Sequence, residues 1–288
     1  MSDRPTVLSE DQVAAFWRSG VLTMPNAVSP ELLERLRTDF GVWVEESRAK
    51  SAPYGEMIDG RIRFDVQPGH SADKPALRRV QAPTEISTAY YEAMADSRMT
   101  DMVADLIGPS VKLHHTKINS KLPGAATEVK WHQDFPFTPH TNSDLVTALL
   151  MVDEVTETNG PLEVLEGSHA GELHPIWQDG KFTGSVDPET AADMKARASI
   201  CTGPAGSVCL MHTRLAHGSA PNLSDQPRTL FISVYSAGDA VPLTPNPVPT
   251  KHQGLFVRGE DPGTIRTEAY EMLRPEYPKT SFFAQQEG

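Results

Sequence analysis

The spacing of apolar positions divides the chain into a helical first third and a strand-rich remainder. Ser9-Glu10-Asp11-Gln12 has the form of a capping box, and Val13, Phe16 and Trp17 follow on one helical face until Gly20 stops the helix. A short strand is expected at 21–25. Ser29-Pro30 opens a second helix with proline at its favoured first position and Leu32, Leu33, Leu36 and Phe40 as the apolar stripe. Residues 51–83 are irregular, with one strand candidate at 61–66, and two further helices are expected at 84–95 and 97–107. From Val111 the period drops from 3.6 to 2. Strands are expected at 111–119, 128–135, 145–152, 163–165, 207–212 and 229–235, with a helix inserted at 187–198. Asn159-Gly160 between apolar runs is a hairpin-type turn signal. Many short strands separated by Gly and Pro turns predict a sandwich or jelly roll with helices packed on one side. Pro-rich sequence after Val241 reads as a loop over the mouth of that core. No internal repeat or boundary divides the chain, so one domain is expected over 1–288: a helical part to about residue 110, a β core over 111–240 and a Pro-rich segment from 241.

Composition narrows the class without naming a function. The 288 residues carry a formal charge of -12, which argues against a nucleic-acid backbone or an anionic membrane as partner and leaves a small-molecule substrate. Oligomeric state is not legible. Two cysteines, Cys201 and Cys209, form no disulfide framework or zinc pattern, and the first residues lack the apolar stretch of a secretory leader, so cytoplasm is the expected location.

The chemistry centres on Val129-Lys130-Trp131-His132-Gln133-Asp134-Phe135. On a strand, His132 and Asp134 share a face, and Trp131 packs on the other. A histidine from another strand would complete the two-histidine, one-carboxylate facial set of non-haem Fe(II) oxygenases. The pair alone is weak, because ten His and 38 acidic residues in 288 positions predict about one His-x-acid match by chance. His217 in His217-Gly218-Ser219 is the third candidate, with His212 as the alternative. Arg228 heads the next strand and offers the forked guanidinium that a distal carboxylate requires. Ser219 shares the face of His217 and adds a hydroxyl.

His132-x-Asp134, Asn159-Gly160-Pro161-Leu162, Glu166-Gly167-Ser168-His169, His217-Gly218-Ser219 and Arg228 together resemble the phytanoyl-CoA dioxygenase family. The resemblance runs from about residue 111 to 235. It implies a double-stranded β-helix, the cupin-like jelly roll, and an enzyme that uses Fe(II), 2-oxoglutarate and O2 to hydroxylate a small, polar or anionic metabolite. His132, Asp134 and His217 match the iron ligands, and Arg228 with Ser219 the clamp on the cosubstrate. His114-His115-Thr116-Lys117-Ile118-Asn119 resembles a strand of ectoine hydroxylases, which makes Asn119 and His115 cosubstrate contacts and Lys117 a substrate contact. A strand displaced by one residue would put Thr116 inward instead. Lys130, Arg61 and Phe135 are further substrate candidates, and two converging cations among Arg61, Arg63, Lys117 and Lys130 would indicate a carboxylate or phosphorus oxyanion. Asp134 stands where halogenating relatives carry a small residue, which favours hydroxylation. The sequence after Asp134, Phe135-Pro136-Phe137, departs from ectoine hydroxylases and argues against ectoine. Two other readings retain the fold: a cupin-type metal enzyme without 2-oxoglutarate, and a non-catalytic binding module.

Overall fold

The computed structural model describes residues 6–123 and 128–277. Along the chain run α1 (Glu10–Ser19), β1 (Val21–Met24), α2 (Pro30–Ser47), β2 (Tyr54–Glu56), β3 (Ile62–Val66), β4 (Leu77–Gln81), α3 (Thr88–Ala95), α4 (Arg98–Ile107) and β5 (Val111–Lys121). Then come β6 (Val129–His132), β7 (Leu145–Met151), β8 (Leu162–Val164), β9 (Trp177–Gln178), β10 (Lys181–Phe182) and α5 (Pro188–Ala196). The chain continues through β11 (Ser199–Cys201), β12 (Val208–His212), β13 (His217–Ser219), β14 (Arg228–Ala237) and β15 (Phe256–Arg258). Both N-terminal caps read from the sequence form: Ser9 and Gln12 exchange the two bonds of a capping box, and the Ser29 hydroxyl accepts from the Leu32 amide.

Two antiparallel sheets face each other. The larger runs β1-β12-β7-β14-β5-β4-β3-β2, with β15 also on β5, and the smaller runs β11-β8-β13-β6. This is the expected jelly roll. Helices α1–α4 cover the outer face of the larger sheet, where Phe16, Leu36, Tyr90, Met94 and Met102 pack on Ile118, Val146, Leu150 and Phe231. The Tyr90 ring stands edge-on to Phe231 at 4.9 Å and its hydroxyl donates to the Leu36 carbonyl. Because β7 and β14 are covered on both faces, every residue in them is buried, and they read as unbroken runs rather than alternating ones. Between the sheets, Leu149, Met151, Leu162, Val164, Met211, Leu230 and Ile232 form the inner core.

Two irregularities depart from simple strand parity. On β5, His115 pairs with Val234 but Leu113 with Tyr235, so His114 is an extra residue. That bulge lets Val111 and Leu113 join the helical core while His115, Lys117, Asn119 and Lys121 turn inward. On β6, His132 pairs with His217 but Val129 with Ser219, so three residues span what two span on β13. The bulge lays the Trp131 ring on Gly218, where an added Cβ would meet it at 3.1 Å.

Four expectations change here. The part before residue 110 is not only helical: β2 and β4 form in the stretch expected to be irregular apart from 61–66, and β1–β4 all join the larger sheet. Asn159-Gly160 does not close a hairpin; it carries the chain from β7 in the larger sheet to β8 in the smaller one. The strand expected at 128–135 ends at His132, because Pro136 sits in a 3-10 turn over Phe135–Phe137. The Pro-rich segment supplies a cover, as expected, but also adds β15 to the sheet edge. No helix among the described residues is long and apolar enough to cross a membrane.

Candidate active site

His132 closes β6, Asp134 starts the following 3-10 turn, and His217 opens β13 opposite His132. Asp134 has helical backbone angles, φ -71 and ψ -33, so the pair is aligned by a turn rather than by strand alternation. The Asp134 Oδ1 lies 3.6 Å from His132 Nε2 and 3.8 Å from His217 Nε2, and the two rings are 4.3 Å apart. One ligand atom from each residue falls within 4.8 Å of the others, the only such trio among the described residues.

Local bonds aim these groups. His132 Nδ1 is 2.8 Å from the Lys130 carbonyl, and His217 Nδ1 is 2.9 Å from that of Leu215. A carbonyl accepts only from a protonated nitrogen, so in the neutral form of each ring it is the Nε2 lone pair that faces Asp134. Thr147 on β7 donates to Asp134 Oδ2 at 2.7 Å, fixing the carboxylate plane. Burial pushes the His217 pKa down to about 4. Burial also opposes ionisation of Asp134, but the facing histidines and Lys117 outweigh it and hold that carboxyl far below its usual range. Neutral imidazoles with an ionised carboxylate are the protonation states a divalent cation requires.

A cavity lies on each side of the trio. The first, about 60 Å3, is lined by Lys117, Asn119, Lys121, Thr147, Ser219 and Arg228 with apolar walls from Leu162, Leu230 and Ile232. Arg228 is 3 % exposed, and burial alone lowers its pKa to about 10. Its Nε and Nη2 both donate to the Gly160 carbonyl, which leaves the other edge of the guanidinium open. Gly160 has φ 82, and a Cβ there would meet the Ala220 carbonyl at 2.7 Å, so only glycine brings this carbonyl to Arg228. Lys121 donates to the Ser219 hydroxyl at 2.7 Å, and burial with the field of Arg228 lowers its pKa to about 6. Asn119 Oδ1 is buried here without a hydrogen-bond partner. Arg228, Ser219 and Asn119 therefore stand together as expected. Lys121, not foreseen, joins them; extending the parity of Lys117 and Asn119 by two residues would have found it.

The second cavity, about 50 Å3, is lined by Arg79, His115, Lys117, His132, Asp134, Phe137, Thr138, Val234, Pro247 and Val248. His115 faces this side and not the Arg228 side, with its Nδ1 2.7 Å from that of His114. The segment around Pro247 is tied down by Asn246, which donates to the His114 carbonyl, and by Thr250, which donates to Glu85. Arg79 escaped the sequence reading. It pairs with Asn119 across β4 and β5, and nothing in Leu77-Arg78-Arg79-Val80-Gln81 says which arginine turns inward.

Six candidates are elsewhere. Thr116 faces the helical layer, its hydroxyl 3.3 Å from that of Thr84, because the β5 bulge sets the opposite parity. Lys130 is exposed, because the β6 bulge turns Val129 inward in its place. Phe135 is fully buried with Leu145, Ala237, Ala240 and Tyr270, and the 3-10 turn brings Phe137 edge-on to His132 at 5.7 Å instead. Arg61 pairs with Asp59 at 2.9 Å and lines a wider outer cavity of about 950 Å3 with Trp177 and Tyr277. Arg63 pairs with Glu85 at 2.7 Å. His212 packs among Phe16, Trp17 and His169, away from the trio.

The sequence profile of the phytanoyl-CoA dioxygenase (PhyH) family matches residues 16–230. A probable alpha-ketoglutarate-dependent hypophosphite dioxygenase of Stutzerimonas stutzeri is 37% identical over 172 residues, 58% of this chain and 59% of that protein's own length. L-Proline trans-4-hydroxylase of Streptomyces griseoviridis is 26% identical over 82% of this chain and 89% of the relative. The crystal structure of EctD from S. alaskensis with 2-oxoglutarate and 5-hydroxyectoine superposes with a TM-score of 0.67 at 24% identity, covering 95% of this chain and 90% of that one. At that identity the likeness speaks for the fold.

Proposed function

The chain belongs to the phytanoyl-CoA dioxygenase family of Fe(II)- and 2-oxoglutarate-dependent enzymes, and on that premise we propose that it hydroxylates a small, polar or anionic metabolite at an unactivated carbon. The observation that carries the reading is the position of His132, Asp134 and His217 at the junction of two cavities, one of which holds buried Arg228 and Lys121. The three residues would hold Fe(II). The open edge of the Arg228 guanidinium fits a chelating keto acid whose far carboxylate needs a cation.

Iron with 2-oxoglutarate and O2 supplies the oxidation: one oxygen atom enters succinate, the other the product hydroxyl, and CO2 is released. The protein's residues do the remaining work. Thr147 keeps Asp134 oriented, and the carbonyls of Lys130 and Leu215 keep both imidazoles in the ligating tautomer. Arg228 binds the far carboxylate of the cosubstrate, with Lys121 and Ser219 beside it. Leu162, Leu230 and Ile232 exclude water on that side, and Phe137, Pro247 and Val248 on the other. The substrate lies on the Arg79 side. We place the enzyme in the cytoplasm, in keeping with its two free cysteines.

The test uses Fe(II) and 2-oxoglutarate without O2. The wild type should develop a visible metal-to-ligand charge-transfer band, and so should His212→Gln, while His217→Gln should not. Iron bound without any band in the wild type would refute 2-oxoglutarate chelation.

A further inference from the structure

The cavities beside the trio are small, and a far larger one lies outside them. About 50 Å3 on the Arg79 side holds a reacting group and little more, whereas the outer cavity, about 950 Å3, falls within the roughly 300–1,000 Å3 of pockets for drug-sized molecules. It lies between the β9–β10 hairpin, the Pro-rich segment at Thr244 and Pro245, and the chain from Leu273 to Tyr277. The two cavities share no lining residue, but two hydrogen bonds join their walls. Tyr277 of the outer cavity donates its hydroxyl to the Phe137 carbonyl at 2.6 Å, and Arg61 donates to the Pro247 carbonyl. Phe137 and Pro247 both line the inner cavity. The Phe137 ring stands edge-on to His132 and to Phe182, each at 5.7 Å, and Phe182 meets Trp177 of the outer cavity edge-on at 5.4 Å. Phe137 and the loop at Pro247 therefore stand between the trio and the outer cavity.

The outer cavity presents apolar surface and balanced charge. Leu273 is 60 % exposed and Trp177 and Tyr277 are half-buried, so the protein itself does not cover them. Concave apolar surface of this kind is what a ligand site offers. Arg61 is matched by Asp59 at 2.9 Å, and Arg274 and Glu276 bring one charge of each sign, so the lining favours no ion. The Tyr277 hydroxyl gives its proton to Phe137 and accepts from Thr244 at 2.8 Å, which occupies both groups. Selection there falls to shape and apolar contact.

We infer that the outer cavity holds the body of the substrate, and that the substrate is an elongated molecule with a neutral, apolar body whose oxidisable end reaches the trio past Phe137. The inference rests on the dioxygenase reading above and narrows its substrate class, since a polar end alone would leave the outer cavity unfilled. Apolar contact with Trp177 and Leu273 holds the body, and neither residue lines a cavity beside the trio, so both can be changed without touching the metal or the cosubstrate.

The experiment uses the full chain with Fe(II) and saturating 2-oxoglutarate in the absence of O2. Acetate, hexanoate and hexanedioate are titrated separately by calorimetry: one polar end alone, the same end with an apolar body, and that body with a second charge. Hexanoate should bind the wild type at least tenfold more tightly than acetate, and hexanedioate should lose most of that gain. Trp177→Ala should bring hexanoate down toward acetate, with acetate binding and the half-saturating 2-oxoglutarate concentration unchanged. Leu273→Ser is the second variant, expected to weaken hexanoate severalfold; its exposed position spares the fold, so it decides the matter should Trp177→Ala not fold. Equal affinity for acetate and hexanoate, binding of neither, hexanedioate as tight as hexanoate, or hexanoate binding unaltered in the folded variants would overturn the proposal. Failure of the wild type to bind 2-oxoglutarate before any probe is added would instead count against the dioxygenase reading.

Discussion

The two cavities beside the His132–Asp134–His217 trio are built in different ways. The Arg228 side is assembled from β5, β8, β13 and β14, with Gly160 locking the arginine from the crossing between sheets. The Arg79 side shares β5, β6 and β14 with it and adds β4, the 3-10 turn after Asp134 and the Pro-rich segment at Pro247 and Val248. One side thus rests on the strands of the jelly roll alone, and the other partly on a turn and a segment laid against them. Pieces outside the barrel can change without disturbing the ligand set, so one fold can keep its cosubstrate while its substrate varies.

The first way to break the comparison is at what the cavities share. Asp134→Ala should abolish metal binding and turnover together, measured by bound iron and succinate release; turnover without Asp134 would remove the trio from the chemistry. Next comes its support. Thr147→Val deletes the 2.7 Å bond to Asp134 Oδ2 with little change of shape and should weaken metal about 10- to 100-fold in competition with a chelator. A smaller effect separates His212 from His217. Burial holds the His212 pKa at about 3, below its unfolded value of 6.5, so stability is fully present above pH 6.5 and is lost as pH falls toward 3. From pH 6.5 to 5 this one group should cost about 2 kcal/mol. In denaturant melts of metal-free protein, His212→Gln should flatten the pH slope by that amount; an unaltered slope would mean that His212 is already charged in the fold. The smallest effect is at Lys130, where replacement by Ala should leave the Michaelis constants of both substrates unchanged, and a rise in either would bring its exposed side chain back into the site.

The same division decides what the sequence made legible. His132 and His217 were readable because each sits in a short segment whose neighbours set its direction, the Lys130 carbonyl for one and the Leu215 carbonyl for the other, while Arg228 was readable as the head of its strand although Gly160, 68 residues away, orients it. The capping box of α1, the Ser29 cap of α2 and the apolar stripes of both helices were readable for the same local reason. Lys130 and Thr116 were misplaced because parity holds only until a bulge interrupts it, and the bulges at His114 and at Lys130-Trp131 arise from pairing with distant strands; Phe135 lies off the face of His132 by parity as well, and the 3-10 turn at Pro136 brings Phe137 to the site instead. Arg79 was invisible for a stronger reason. Its facing depends on how β4 docks on β5, across 40 residues of chain that no local pattern reports.

The most direct test of the division is a 2-oxoglutarate titration of the iron-loaded protein without O2, followed in the visible band, for wild type, Arg228→Ala and Arg79→Gln. Losing a charge-assisted bond of roughly 1.5–3 kcal/mol should raise the half-saturating concentration of Arg228→Ala by about ten- to a few-hundred-fold. Arg79→Gln should titrate like the wild type. Equal weakening in both variants, or a shift in Arg79→Gln alone, would contradict the assignment of cosubstrate to one cavity and substrate to the other.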